Sequence, residues 1–149
     1  MTTLANSTVK LIQEFEGCKL QAYQLKGDKP TIGYGHTGSD VHMGMKITQQ
    51  QAEMYLFGDL KERANFLNSH IHRELTQNQF DALMSFLYNR GSGNFLKSRL
   101  YKLVNAGDMV GAANAFLDKE NWNFSKFNAN IRNSLYNRRR REREVFITK

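Results

Sequence analysis

The sequence predicts a mainly helical α+β fold, in which a small antiparallel sheet precedes a larger group of helices. Residues 20–47 hold short β-branched and aromatic runs separated by glycines and by the single proline, Pro30, a composition typical of strands joined by tight turns. From Thr48 onward, apolar residues recur at helical spacing. We expect one domain over residues 1–149, with a β-containing lobe over about 15–50, a connecting helix over about 48–70 and a helical lobe over about 76–149.

The first helix is predicted to run to about Glu16, because the apolar residues before it fall at helical spacing: Val9, Leu11, Ile12 and Phe15. Asn6 and Ser7 are good candidates for its N-cap. Glu16 then stands at the helix end, where the helix dipole and the loss of water both favour a carboxyl group that can still donate a proton. Alternatively, Glu16 is an ordinary glutamate that faces solvent and has no catalytic role.

Turn and capping patterns place the next elements. Residues 26–29 predict a hairpin turn around Gly27. Thr48 with Gln51 is a capping-box pattern that begins the connecting helix, and a second box begins a helix after residue 76: Thr76 with Gln79.

Glycines mark where later helices end. Gly91 is predicted to stop the helix that follows Thr76, and Gly107 is predicted to cap another one ahead of a helix through Leu117. Apolar residues at helical spacing are more often core than ligand contacts, so we predict four core positions: Met84, Phe86, Phe116 and Trp122.

Composition narrows the class of protein. The 149 residues are 40% hydrophobic, enough for one good core. The single Cys18 excludes an internal disulfide framework, and neither a signal peptide nor a membrane-length apolar run is visible. We therefore expect synthesis in a reducing cytoplasm and no stable insertion into a membrane.

The net charge of +7 indicates an anionic partner, which could be nucleic acid, a lipid surface or a cell-wall polymer. Much of the excess lies in residues 138–141, followed by Glu142, Arg143 and Glu144. Alternating charge of this kind is typical of a structured helix face. Because no recognised basic-aromatic module accompanies it, we expect no nucleic-acid partner.

One constellation points to a catalytic site. It comprises Glu16-Gly17, then Ala22-Tyr23, then the Thr-Ile-Gly-Tyr-Gly-His-Thr segment over residues 31–37. A lone carboxyl at a helix end is followed by a glycine-rich segment that could bring backbone and a hydroxyl close to a ligand.

Together these segments resemble the phage-type lysozyme (muramidase) family, glycoside hydrolase family 24, and most of all the lambdoid-phage endolysins. Residues 76–83, 89–95 and 138–146 resemble further segments of the family in the same order. The resemblance implies a lysozyme-like fold with a cleft between its two lobes. It also implies hydrolysis of the β-1,4 bond between N-acetylmuramic acid and N-acetylglucosamine in bacterial peptidoglycan.

In the family pattern, an Asp follows the Glu by nine residues and a Thr follows that Asp by six. Here Glu16 and Thr31 match, but the Asp position holds Leu25. The resemblance makes Glu16 the general acid and lets Thr31 orient the water. A threonine hydroxyl cannot hold the abstracted proton as a carboxylate does. The presence of Leu25 at the Asp position therefore removes the expected catalytic base and leaves the acid, Glu16, in place.

Three residues could replace the missing carboxylate. Asp28, in the predicted turn, is the first candidate and Asp40 is the second, although both also fit ordinary turn residues. His36 is a third, because an imidazole titrates near neutral pH. The resemblance instead has His36 bond to a carboxylate within the fold.

Other site residues complete the prediction. Tyr23, Gly33, Gly35 and Asn89 are candidate substrate contacts, because glycines allow close approach to backbone and Asn89 would offer a polar group across the cleft. The resemblance places Arg138 where a buried arginine pairs with Glu16. From their charge, we expect Arg139 and Arg140 to bind the wall at the surface. The histidines lack metal-ligand spacing, so we expect no metal and no other cofactor.

Two functions remain open at this stage. The first is a muramidase that acts on peptidoglycan as a monomer and depends on a holin for access to the wall. The alternative, motivated by Leu25, is a catalytically impaired scaffold of the same fold that binds peptidoglycan or another protein.

Overall fold

A computed structural model describes residues 3–124 and 128–149. Within these ranges the predicted mainly helical α+β architecture is confirmed. The helices are α1 (Asn6–Phe15), α2 (Gln49–His70), α3 (Gln77–Arg90), α4 (Ser92–Lys97), α5 (Arg99–Ala106), α6 (Met109–Ala115) and α7 (Ala129–Ile147), with a 3-10 turn at Lys119–Asn121. The strands are β1 (Lys19–Tyr23), β2 (Thr31–Gly33) and β3 (His36–Thr37).

The three strands form one antiparallel sheet in the order β1-β2-β3. Thr31 pairs with Tyr23 on one side and with Thr37 on the other. Gly27 has φ 84°, so the predicted hairpin turn lies between β1 and β2. A small apolar cluster covers the sheet: Ala22, Ile32 and Val41, with Met45 and Ile47 packed against it.

Both predicted capping boxes are present. Thr48 accepts a hydrogen bond from the Gln51 backbone N–H at 3.1 Å and starts α2. Thr76 accepts one from Gln79 at the same distance and starts α3. α3 ends at Gly91 as expected, although a further short helix, α4, begins at the next residue.

Helix α3 is the centre of the main core, with α1, α2 and α7 packed around it. Met84, Phe86 and Phe116 are fully buried, as predicted. Trp122 is only half-buried and lies outside this core. Its indole N–H donates to the Leu117 carbonyl at 3.0 Å, and this polar tip favours a place at the edge of the core.

The predicted N-cap of α1 was wrong. Ala5 occupies that position, and its N–H donates to the Thr8 hydroxyl at 3.1 Å. The hydroxyl of Ser7 donates instead to the buried Asp81 carboxylate of α3 at 2.6 Å, and that of Thr8 does so at 2.5 Å. A buried carboxylate needs donors, and this demand outweighs the local capping preference.

Helix α7 divides the arginine run between two environments. Arg138, Arg139 and Glu142 are buried, whereas Arg140 and Arg141 are exposed. The expectation that Arg139 is a surface charge is wrong, because its side chain is 0% exposed. Helical periodicity explains the division, since the buried positions share one face with Phe146, which packs into the core.

In the two ranges that the structure covers, no helix combines the length and apolar character that a membrane crossing requires.

Candidate active site

Glu16 follows the last residue of α1, and its N–H still donates to the Ile12 carbonyl at 3.0 Å. Its side chain is 22% exposed. Oε2 accepts a hydrogen bond from Nη1 of Arg138 at 2.5 Å. Oε1 lies beside Gly35, where a Cβ atom would come within 3.4 Å of it. One carboxyl oxygen is therefore held by the fold, and the other lies against the backbone of the glycine-rich segment.

The partner of Glu16 is the buried guanidinium of Arg138, whose side chain is 7% exposed. Its Nε donates to Oε2 of Glu142 at 3.2 Å and its Nη2 donates to the Ser85 carbonyl at 3.1 Å. The guanidinium also stacks over Phe15, 4.6 Å from the ring centroid. The predicted pairing of Arg138 with Glu16 is confirmed.

Tyr88, which was not predicted from the sequence, supports the glycine-rich segment beside Glu16. Its hydroxyl donates to the Tyr34 carbonyl at 2.6 Å and lies near Gly35. Burial raises the pKa of Tyr88, and the charges of Asp59 and Glu16 raise it further. The phenol therefore stays protonated at neutral pH and remains a donor. The only signal in the sequence was a tyrosine at the end of an apolar helical stripe.

A groove of about 460 Å³ opens beside β1, β2 and β3. Gly35, which also borders Glu16, belongs to its lining. Leu25 is 63% exposed there. The full lining comprises Tyr23, Leu25, Gly27, Asp28, Lys29, Thr31, Gly35 and Thr37. The structure thus brings together the predicted Tyr23, Asp28, Thr31 and Gly35.

Tyr23 links the two carboxylates of this region electrostatically. Burial raises its pKa, and the negative charges of Glu16 and Asp28 each raise it further. Both carboxylates therefore lie within electrostatic range of one phenol. Asp28 itself is exposed, in the turn where its N–H donates to the Leu25 carbonyl at 2.9 Å.

The hydroxyl of Thr31 donates to the Lys29 carbonyl at 3.0 Å. This bond uses the only proton of the hydroxyl, and its lone pairs can still accept hydrogen bonds. Thr31 can therefore hold a water molecule by accepting one of its protons.

His36 bonds to carboxylates at both ring nitrogens, as the resemblance implied. Nδ1 lies 2.8 Å from Asp59 and Nε2 lies 3.1 Å from Asp40. Burial disfavours its charged form, but the hydrogen bonds to Asp59 and Asp40 raise the pKa of His36 above its ordinary value. An imidazole engaged at both nitrogens is poorly placed to act as a base. Asp40 is bound to His36 and does not line the groove.

One of the candidate substrate contacts lies elsewhere than predicted. Gly33 is buried against α2, where a Cβ atom would lie 3.5 Å from that of Ala52. Its positive φ of 67° serves this close packing of sheet on helix. Oδ1 of Asn89 accepts a hydrogen bond from Nη2 of the buried Arg139 at 2.5 Å.

In the described part of the chain, no three His, Cys, Asp or Glu side chains converge on a point that could hold a metal ion.

Comparisons with known proteins find matches along nearly the whole chain. Residues 13–142 match the phage lysozyme family. An endolysin from Bacillus phage B103 is 40% identical over 147 residues, which cover 97% of this chain but only 54% of that protein, so the chain spans about half the length of this relative. The endolysin of Salmonella phage P22 is 34% identical over 152 residues, which cover 99% of this chain and 100% of the relative. The solved muramidase domain of SpmX from Asticaccaulis excentricus has a TM-score of 0.87 at 36% identity, with 100% of both chains covered.

Proposed function

Because the chain belongs to the phage lysozyme family, we propose that it is an endolysin that hydrolyses the β-1,4 bond between N-acetylmuramic acid and N-acetylglucosamine in peptidoglycan. The substrate class is consistent with the basic surface, since a net charge of +7 attracts an anionic wall polymer.

One observation carries the proposal, the fixed carboxyl of Glu16. Arg138 holds Oε2 from the buried side, and Oε1 faces Gly35 of the groove wall. In our mechanism Oε1 carries the proton that passes to the leaving glycosidic oxygen. A general acid must be held in hydrogen-bond reach of that oxygen, and the buried support of Arg138 does this without occupying Oε1.

The mechanism also needs a second carboxylate as the base, and this chain cannot supply it from the family position, which holds Leu25. Inverting glycosidases keep their two carboxyl groups about 6.5–9.5 Å apart, with water between them. Leu25 cannot accept a proton. We assign the base to Asp28, which lines the same groove, and the water to Thr31. The water donates a hydrogen bond to the Thr31 hydroxyl and transfers its other proton to the Asp28 carboxylate as its oxygen bonds to the sugar carbon, while Glu16 protonates the leaving oxygen.

The proposal includes the route to the wall. The protein is made in the host cytoplasm, works as a monomer and reaches the wall through a lesion made by a holin. Expression with and without a holin tests this part, because lysis by the protein alone would contradict the route. Sedimentation at increasing protein concentration tests the monomer.

The central experiment incubates the protein with purified peptidoglycan in ¹⁸O-labelled water across acid to neutral pH. We expect new reducing ends that carry one ¹⁸O atom, because water supplies the oxygen at the cleaved carbon. Binding to the wall without any reducing ends would favour the alternative function, a catalytically impaired scaffold that binds peptidoglycan or another protein.

A further inference from the structure

Beneath Glu16 lies a cluster of buried ions on α7, which we call the α7 triad: Arg138, Arg139 and Glu142. Glu142 stands between the two arginines. Its Oε2 accepts hydrogen bonds from Nε of Arg138 at 3.2 Å and from the Ser85 hydroxyl at 2.5 Å. Its Oε1 lies 3.1 Å from Nε of Arg139. The Arg139 and Glu142 side chains are both 0% exposed.

The triad is a poor way to stabilise a core. The ion pair between Arg139 and Glu142 is close but misaligned, so that Nε and Nη1 of Arg139 and Oε1 of Glu142 have no hydrogen-bond partner. Burial lowers the pKa of Arg139 to about 10, which still leaves it charged at neutral pH. Buried ion clusters can often be replaced by apolar residues without loss of stability. The geometry of the triad therefore calls for an explanation other than packing.

Each arginine of the triad contacts a site residue that the sequence predicted. Arg138 reaches Glu16, as described above. Arg139 donates to Oδ1 of Asn89, which fixes the amide with its oxygen toward the arginine and its NH₂ group turned away. Glu142 contacts both arginines.

The guanidinium of Arg138 is oriented by groups on the side away from Glu16. Glu142 holds its Nε, and the carbonyl and hydroxyl of Ser85 hold its Nη2 at 3.1 and 3.2 Å. These contacts fix the plane of the guanidinium, so that Nη1 points at Glu16 before any substrate binds. The exposed Arg141 on the same helix lacks such support and pairs with Glu14 at the surface.

We infer that Glu142 is a positioning residue that aligns two arginines, one for the Glu16 carboxyl and one for the Asn89 amide. The roles of Glu16 and Asn89 in this statement rest on the proposed function. The positioning itself does not depend on that function.

The kinetic test separates the two branches. Ser85→Ala should lower kcat about 10-fold with little change in KM, because it loosens only Arg138 behind the acid. Glu142→Gln should lower kcat about 10-fold and also raise KM, because it loosens both arginines. Arg139→Met should instead raise KM about fivefold, because it releases the Asn89 amide. Arg141→Gln, which breaks the exposed pair on the same helix, should leave both constants unchanged. Equal losses for Arg139→Met and Arg141→Gln would overturn the inference.

Replacing the ion pair between Arg139 and Glu142 with apolar residues tests whether the triad has only a structural role. The double variant Arg139→Met/Glu142→Met keeps the net charge, and we expect its Tm to stay at or above that of the wild type. Its kcat should still fall. If Tm and activity fall together, the triad has only a structural role and the inference is overturned.

The last measurement does not require activity. In side-chain NMR spectra of the wild type, a guanidinium held at Nε, Nη1 and Nη2 should show separate, slowly exchanging signals for Arg138. These signals should merge in Glu142→Gln and in Ser85→Ala. Separate signals that persist in both folded variants would overturn the positioning role. Separate signals in a wild type that cleaves no peptidoglycan would support the positioning role while contradicting the proposed function.

Discussion

Glu16 and Asp28 lie within electrostatic range of the same tyrosine, Tyr23, but they are supported in opposite ways. Glu16 is held by a buried arginine whose side chain is 7% exposed. Asp28 lies in an exposed turn beside Leu25, which is 63% exposed. We call the region around Glu16 the acid side and the region around Asp28 the base side. The acid side is part of the core, so its residues are constrained by folding, whereas the base side can change residues at little cost to the fold.

The largest effect should come from the acid itself. Glu16→Gln keeps the size of the side chain and removes the transferable proton, so we expect peptidoglycan hydrolysis to fall about 100- to 10,000-fold with folding intact. Reducing-end assays and circular dichroism would measure this. Glu14→Gln is the matched control, because Glu14 lies two residues earlier, within α1, and pairs with the exposed Arg141. Similar losses in both variants would remove Glu16 from the mechanism.

The next effect concerns how firmly the acid side is tied to the core. The carboxylate of Asp81 accepts hydrogen bonds from Ser7, Thr8 and Gln77 and joins α1 to α3. Asp81→Ala leaves the buried Thr8 hydroxyl and two less buried donors without an acceptor, and we expect a loss of about 3 kcal/mol in the free energy of unfolding. Asp28→Ala, on the base side, should lose less than about 0.5 kcal/mol. Urea denaturation would measure both, and comparable losses would contradict the contrast between the two sides.

A smaller effect should appear when the base side is altered. Asp28→Asn should lower hydrolysis about 10-fold, because it removes the proposed proton acceptor. Leu25→Asp should raise hydrolysis, because it returns a carboxylate to the family position. Unchanged activity in Asp28→Asn would exclude Asp28 as the base. A gain in Leu25→Asp would then show that the wild type works without a well-placed base.

The smallest effect should be a pH dependence of stability in the sheet. Although burial opposes it, the hydrogen bonds to Asp59 and Asp40 raise the pKa of His36. A raised folded-state pKa stabilises the protein fully below the ordinary value of 6.5, and this contribution is lost as pH rises through the folded value. The destabilisation caused by His36→Gln should therefore be larger at about pH 6 than at about pH 8.5. If the stability difference between the wild type and His36→Gln is the same at both pH values, the proposed pairing of His36 with Asp59 and Asp40 is contradicted.

Local features of the fold could be predicted from the sequence. The two capping boxes and the turn at Gly27 involve residues within three or four positions of each other, and they form as expected. The pairing of Arg138 with Glu16 followed from family resemblance and is also present. The assignment of Glu16, Thr31 and Asp28 to catalytic roles remains a prediction.

Long-range polar partners could not be predicted. Asp81 meets Ser7 across 74 positions and Glu142 meets Ser85 across 57, and no local pattern encodes such pairs. The burial of Arg139 was missed because four consecutive arginines look alike until the phase of the helix is known. The spacing of Phe146 from Glu142 and Arg139 fits one helical face, and that signal could have identified the buried members.

The distance in sequence between Glu16 and Arg138 is 122 positions, and this separation has a consequence for protein synthesis. The ribosome releases Glu16 long before Arg138, while α1 and α7 both pack against α3. A nascent or prematurely terminated chain therefore contains the acid without the arginine that holds it. We expect cleavage activity to appear only after α7 has left the ribosome, which would protect the producing cell from copies that stop before Arg138.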